Sequence, residues 1–539
     1  LKAGYIMITQ DVRGRWMSEG TFMDVRPYNP NKKGRNDIDE ASDTYDTIDW
    51  LVKNLTGNNG KVGVFGISYP GFYSTMAALS GHPALKAVSP QAPVTDWFHG
   101  DDFHHNGAFF VMDGFSFYTS FGKPRPQPTT VGPKDFDYYT HDNYKFYLET
   151  GALKNFARLM GDSIAFWKDL YAHPNLDAWW KARNVRPHLQ HVQPAMLEVG
   201  GLFDAEDCFG AWNTYKAIEK QSTGTNNRIV MGPWYHGQWA SKDGTHLGNV
   251  QFNSNTAAWY QQNVEIPFFD YYLKGEGAAP EIAEATVFFT GENQWKKLPV
   301  WPPADMQPTP VYLQNNGRLS FNKPTGANSF SEYISDPAKP VPYADGVHFT
   351  RTINYMTDDQ RFAARRPDVV VFETDTLTED VTLAGPLQAS LVVSTSGTDA
   401  DFIVKLIDVF PDDFTYGPDA ATEHRRVPSA TYPMGGYQML VRGEVMRGKF
   451  RNSFEKPEPF VPGQPTPVKF SMPDVAHTFK KGHRIMVQVQ STWFPLVDRN
   501  PQQFTDIYHC SDSDFRKATI RIYHDAAHPS SVLLPLIKN

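Results

Sequence analysis

Cysteine is nearly absent: Cys208 and Cys510 are the only two among 539 residues. A disulfide-stapled scaffold is excluded, and whether these two pair is left open. No apolar run reaches the roughly 18 residues that a membrane-crossing helix needs. Positive charge is not in excess. The 51 Lys and Arg stand against 59 Asp and Glu, a net charge of −8, which argues against a nucleic-acid surface and a polybasic membrane contact. No solenoid-type repeat or low-complexity tract is present. A leading Met is missing too: Leu1-Lys2-Ala3-Gly4 runs straight into the apolar stretch Tyr5–Asp11. Residues ahead of Leu1 are therefore expected, and the lack of a targeting signal is uninformative. Aromatic residues are plentiful, with 13 Trp and 25 Tyr, which suits large pockets and β-rich packing. The length exceeds what one core holds, so two or three domains are expected.

The stretch around which the chain is organised is Lys61–Gly71. Val62–Ile67 reads as a buried parallel strand, and a helix over about 72–79 follows. Between them, Gly66-Ile67-Ser68-Tyr69-Pro70-Gly71 places a serine on a strand-to-helix turn with a glycine two residues before it. This is most of a nucleophile elbow, although Gly71 stands three residues after Ser68 where the usual pattern has two. Upstream, Tyr5–Asp11 reads as a first strand. Ile38, Ala41, Tyr45, Ile48 and Leu51 recur at helical spacing and predict a helix over 37–55. Further strands are predicted at 84–90, 194–200 and 227–232. Strands alternating with helices imply a parallel, doubly wound sheet, whose chemistry sits at the carboxyl ends of its strands.

Residues 100–190 interrupt this alternation with aromatics and helix-like pieces at 143–160 and 162–183. They are expected to form a helical cap that excludes water from a site. After a turn-rich linker at Gly275–Pro280, short alternating strands, such as 285–290, 389–395, 402–409 and 484–490, predict an all-β jelly roll. The expected organisation is 1–99 and 191–278 in one α/β domain, 100–190 as the cap and 279–539 as the jelly roll.

Two ionisable residues follow later strands: Asp204 in Gly201-Leu202-Phe203-Asp204, and His236 in Gly232-Pro233-Trp234-Tyr235-His236. The chain order Ser, Asp, His is that of α/β-hydrolases. Ser68 needs a base, which His236 supplies, while Asp204 orients the imidazole and stabilises its charged form. The Tyr69 amide is the natural first oxyanion donor. Each residue also has a plainer reading: Asp204 as a helix N-cap, His236 as a core histidine.

These motifs and the β-rich tail resemble the X-Pro dipeptidyl peptidase/cocaine esterase family over essentially the whole chain. Gly100-Asp101-Asp102-Phe103-His104-His105-Asn106-Gly107-Ala108-Phe109 further resembles the corresponding segment of α-amino acid ester hydrolases. The resemblance implies a substrate-ammonium clamp of three carboxylates, falling here on Asp102, Glu206 and Asp207. It also implies a second oxyanion donor, a tyrosine, ahead of Leu1, a homo-oligomer (dimer or tetramer) and a periplasmic or secreted location. Pro70 departs from the family, where an acidic residue is frequent. The clamp makes physical sense without the family. Gathered carboxylates repel one another unless a cation fills the space, and an α-amino group with a pKa of roughly 7.7–8.0 is mostly charged near neutral pH. Against it stands a solvated acidic turn. Asp101, Asp102, His104 and His105 also admit a metal reading, but neighbouring histidines diverge and the hydrolysis needs no metal, so no metal or cofactor is expected.

The expected function is a serine hydrolase/acyltransferase. It acts through an aminoacyl-enzyme on small-molecule esters and amides of α-amino acids with a free amine, including α-amino β-lactams. Alternatives are an esterase or acylase of the same fold, an X-Pro dipeptidyl peptidase, and a carbohydrate-binding protein with a relic hydrolase domain. Neither nucleic acid nor membrane is an expected partner.

Overall fold

The computed structural model describes residues 3–34, 36–241, 243–275, 279–416 and 432–538. Of the expected linker at Gly275–Pro280, residues 276–278 lie outside these. Helix α1 (Glu40–Asn54) begins at a capping box: the Asp39 carboxylate accepts from the Ser42 amide at 2.9 Å and the Ser42 hydroxyl accepts from the Asp39 amide at 3.0 Å. Two unpaired helix-end donors are thereby satisfied. Strand β1 (Val62–Ile67), helix α2 (Tyr69–Ala78) and strand β2 (Leu85–Gln91) follow as expected, within a residue or three.

Next comes a helical stretch: α3 (Val111–Tyr118), α4 (Asn143–Thr150), α5 (Leu153–Met160), α6 (Ala165–Ala172) and α7 (Ala178–Arg183). The two longer helices read from the sequence are each split. Gly151, at φ 87°, ends α4 in a conformation glycine adopts without strain. Aromatic faces pack these helices together: the rings of Phe115 and Phe156 lie 5.2 Å apart, and those of Tyr118 and Phe166 stack at 4.9 Å. The chain returns through β3 (Ala195–Gly201), α8 (Cys208–Gln221) and β4 (Asn227–Gly232).

The first sheet has the order β1-β2-β3-β4-β5-β6, where β5 is Ala285–Phe289 and β6 is Gln294–Leu298. The first five strands are parallel, and β6 returns antiparallel to β5. This moves a boundary drawn from the sequence. The strand at 285–290 belongs to the α/β sheet and not to the tail. Its residues Ala285–Phe289 are all buried, the polar one being Thr286, which suits a strand covered on both faces.

Tyr5–Asp11 is also corrected: it is irregular chain, not a strand. Ile6, Met7 and Ile8 stand 51%, 55% and 48% exposed. An apolar run becomes a strand only where a neighbour meets its N–H and C=O groups, and among the described residues β1 is the edge of the sheet.

The rest of the chain is β-rich. A seven-stranded antiparallel sheet includes Val381–Thr395 and Thr466–Phe479, and a four-stranded one has Asp401–Val409 and Arg484–Gln490 at its centre. Both cysteines are buried and free. Buried polar contacts join this part to the rest. Arg447 forks to Asp401 and to Asp498, with contacts of 2.8 Å to each. Asp498 in turn accepts from the Phe109 amide at 3.1 Å. Removing one member of such a buried group leaves uncompensated charge. Arg447→Ala is therefore expected to destabilise the fold by about 3–5 kcal/mol, read as a lower thermal unfolding midpoint. A midpoint within a degree of the parent would contradict this.

Candidate active site

Ser68 ends β1 and begins α2, at φ 70°, ψ −128°. A non-glycine residue rarely adopts this backbone, and holding it there costs of order 1–3 kcal/mol. The neighbours enforce the turn. The Ser68 amide donates to the Gln91 carbonyl at 2.9 Å. A Cβ on Gly66 would lie 2.5 Å from the Pro70 carbonyl oxygen, and one on Gly71 2.6 Å from that of Gln91. Both elbow glycines are thus required by close backbone approach, and the irregular spacing of Gly71 is immaterial. Pro70 sits in the first turn of α2, where no N–H is needed. The Tyr69 amide is one of the unpaired donors at this helix start. The Tyr69 hydroxyl accepts from the Val25 amide at 2.6 Å and donates to Asp24 at 3.3 Å. Tyr118 of α3 also donates to Asp24, at 3.2 Å, and burial pushes the Asp24 carboxyl up to about 7.

Asp204 and His236 follow β3 and β4 and meet: His236 Nδ1 lies 2.8 Å from Asp204 Oδ2. The other Asp204 oxygen accepts from the Glu206 and Asp207 amides at 2.8 and 3.0 Å; Asp204 thus orients His236 and closes the turn at 205–207, and it is not the N-cap of α8, which is Asp207. Burial would raise the Asp204 carboxyl, but His236 and the two amides hold it below the usual range. Burial would lower His236; the charges of Asp204 and then Glu206 overcome this and lift it to about 10. The turn after His236 reaches the Ser68 strand, since a Cβ on Gly237 would lie 3.9 Å from Ile67. His236 Nε2 is nevertheless engaged by Glu206 Oε2 at 3.2 Å. Among the described residues the Ser68 hydroxyl makes no hydrogen bond.

The three clamp positions come together. The Asp102 amide donates to the Glu206 carbonyl at 2.9 Å, and the Asp102 carboxylate accepts from Trp97 Nε1 at 2.7 Å. Burial, then the charge of Glu206, pushes the Asp102 carboxyl up to about 8. Asp207 is fully buried, and neither of its carboxylate oxygens has a partner among the described residues. Burial and then Asp102 push it well above the carboxylate range. Ligand atoms of Glu206, Asp207 and His236 lie within 4.8 Å of one another, a spacing that a cation would fill.

The histidines of the metal reading diverge. His104 contacts the Trp97 carbonyl and the Tyr508 hydroxyl at 2.8 and 2.6 Å, whereas His105 contacts Glu444 at 3.0 Å. Asp101 accepts from the Thr95 and Asp96 amides and shapes the turn. Sequence reasoning missed Trp97, Asp113 and Arg351. Arg351 contacts Glu206 and, at 2.7 Å, Asp113. Lying in a loop without periodicity, it carries no local signal.

A strained serine on an elbow, with a buried Asp–His pair at the ends of later strands, defines a serine hydrolase on an α/β scaffold. A family model described as X-Pro dipeptidyl-peptidase (S15 family) matches residues 1–238. A second, described as the X-Pro dipeptidyl-peptidase C-terminal non-catalytic domain, matches residues 270–533. The chain belongs to this S15 family of hydrolases. It is similar to the cocaine esterase of Rhodococcus sp. (strain MB1 Bresler), at 28% identity over 100% of this chain and 89% of that protein. Among solved structures it is similar to an α-amino acid ester hydrolase, at 38% identity and TM-score 0.90 over 99% of this chain and 86% of the other. An aminopeptidase from a marine sediment Thaumarchaeota archaeon shares 38% identity at TM-score 0.89, over 98% and 84% of the two chains.

Proposed function

We propose that this enzyme hydrolyses esters and amides of α-amino acids bearing a free amine, through an aminoacyl-enzyme on Ser68. The observation that carries this is the buried Asp207 carboxylate, without a hydrogen-bond partner among the described residues, beside Asp102 and Glu206. Three carboxylates at one site are costly unless a cation completes them, and an α-ammonium is that cation. The names of the two 38%-identical structures both denote substrates with an α-amine, which supports the reading.

The steps follow from the contacts. The ammonium enters between Asp102, Glu206 and Asp207 and draws Glu206 away from His236 Nε2. With the nearby negative charge compensated, the imidazole gives up its proton more readily and becomes a base for Ser68. Ser68 Oγ attacks the acyl carbon as its proton passes to His236. The oxyanion meets the Tyr69 amide, and Asp204 balances the imidazolium. The C–O or C–N bond breaks as His236 returns the proton to the leaving group. Water, or an amine, then attacks the acyl-enzyme by the same route. With an amine the product is an amide, which extends the reading to acyl transfer onto a β-lactam nucleus. In this reading α3–α7 act as a cap, the β-rich part is a jelly roll, and the assembly is a homo-oligomer working in the periplasm or outside the cell.

Asp102→Asn removes one clamp charge. It is expected to raise KM for an amino acid ester about tenfold or more while changing kcat/KM for the N-acetyl ester less than about threefold. Equal losses on both esters would support an esterase without the amine requirement. The pH dependence has a defined sign. The folded enzyme holds Asp102 protonated below about 8, and the ammonium favours the ionised form. KM for the amine substrate should therefore fall as pH rises toward 8, and rise again as the substrate amine loses its proton.

A further inference from the structure

We propose that Arg351, from the β-rich half of the chain, is a positioning residue for Glu206 and so sets the preference for an α-ammonium. This rests on the amine reading above. The half that contributes Arg351 is the one whose matching family model is described as non-catalytic.

The geometry is specific. Arg351 Nη2 binds Glu206 Oε1 while the other Glu206 oxygen faces His236 Nε2 at 3.2 Å. Arg351 Nε binds Asp113 of α3 at 2.7 Å. The second Asp113 oxygen is buried without a partner among the described residues. One guanidinium therefore bridges two carboxylates and joins the β-rich part to the helical stretch and to the loop after β3. Its side chain is 16% exposed. Burial alone would lower its pKa, but Asp113 and then Glu206 raise it well above the ordinary value, so Arg351 is a permanent charge here. The loop that carries it is itself held: the Thr352 amide donates to the Tyr343 hydroxyl at 3.0 Å.

Two consequences follow for the site. A planar guanidinium anchored through Nε on Asp113 holds Glu206 Oε1 in place and leaves Oε2 able to exchange His236 Nε2 for an ammonium. With Arg351 and Asp113 paired on one side, the open side of Glu206 faces the catalytic histidine and the Asp102–Asp207 pair. A small ammonium fits the remaining charge; a neutral acylated amine brings none.

The test compares an amino acid methyl ester with its N-acetyl form in wild type, Arg351→Gln and Arg351→Lys. Thermal unfolding of each variant is measured alongside. Wild type should prefer the free amine. Arg351→Gln should raise KM for the amine ester about tenfold and leave the N-acetyl ester within about twofold. Arg351→Lys, which keeps charge without the fork, should recover most of the loss and serves as the readout if the glutamine variant does not fold: its KM for the amine ester should rise two- to fivefold while the N-acetyl ester is unchanged. Equal losses on both esters, or an unchanged amine preference, overturn the role of Arg351. A wild type with no amine preference overturns the amine reading itself, and the wild-type measurement alone reveals that case.

Discussion

Ser68→Ala is expected to lower kcat on any ester substrate by about 10⁵–10⁶-fold and to abolish labelling by a fluorophosphonate probe. The expectation is this large because the remaining groups lose their purpose together. His236 has no proton to accept, and the Tyr69 amide has no tetrahedral intermediate to meet. The variant should fold, since the elbow is held by contacts the hydroxyl does not make: the Ser68 amide bond to Gln91 and the tight approaches at Gly66 and Gly71. Alanine tolerates the left-handed backbone no better than serine, so stability should change by less than about 1 kcal/mol. An Ser68→Ala protein that still forms an acyl-enzyme would place the nucleophile elsewhere. With turnover stopped, this variant should still take up amine substrate into the carboxylate cluster, which separates binding from chemistry.

Asp204→Asn is expected to lower kcat by about 10⁴-fold. The substitution can keep the bonds that close the turn, because its amide oxygen can accept from the Glu206 and Asp207 amides as Oδ1 now does. Its nitrogen then faces His236 Nδ1 and forces the opposite tautomer. A second consequence has a definite sign. His236 is held up to about 10 chiefly by the Asp204 charge, against burial, so removing that charge lowers it. The acid limb of kcat/KM should then extend to lower pH even as the plateau falls. If the plateau fell with no change in the limb, Asp204 would be acting through its turn-closing backbone bonds alone.

Much of this site was legible because its chemistry is local in sequence. Ser68, Asp204 and His236 each stand a few residues beyond an apolar strand, and the topology of a parallel sheet gathers strand ends. The carboxylates at 206 and 207 travel with Asp204 in the same turn. Asp102 was legible through family resemblance, since nothing in its own segment says which partner its backbone will meet. Arg351 was not legible: it reaches the site from a loop 145 residues beyond Glu206 in the chain, and long-range ion pairs leave no pattern in either segment. The contact between Glu206 and His236 was hidden for a related reason, because it depends on side-chain direction. Tyr5–Asp11 misled because its apolar composition was read as pairing, and composition does not supply a neighbouring strand. The strand at 285–289 misled in the opposite way: it is short and follows a turn-rich stretch, so it was grouped with the β tail although all five of its residues are buried and it pairs parallel with β4.

That strand bears on how the enzyme can be made. β5 pairs with β4 through Ile229–Met231, and β6 closes over it. During synthesis the sheet that carries His236 therefore stays open at one edge until about residue 298 has emerged. A gene cut where the sequence turns Gly- and Pro-rich, just after Lys274, would yield a polypeptide with β4 bare, and a bare interior strand invites pairing between chains. Separate expression of the two halves is thus a poor route to the catalytic part. An excision that keeps the sheet whole must run past Leu298, and even then it leaves Glu206 without Arg351.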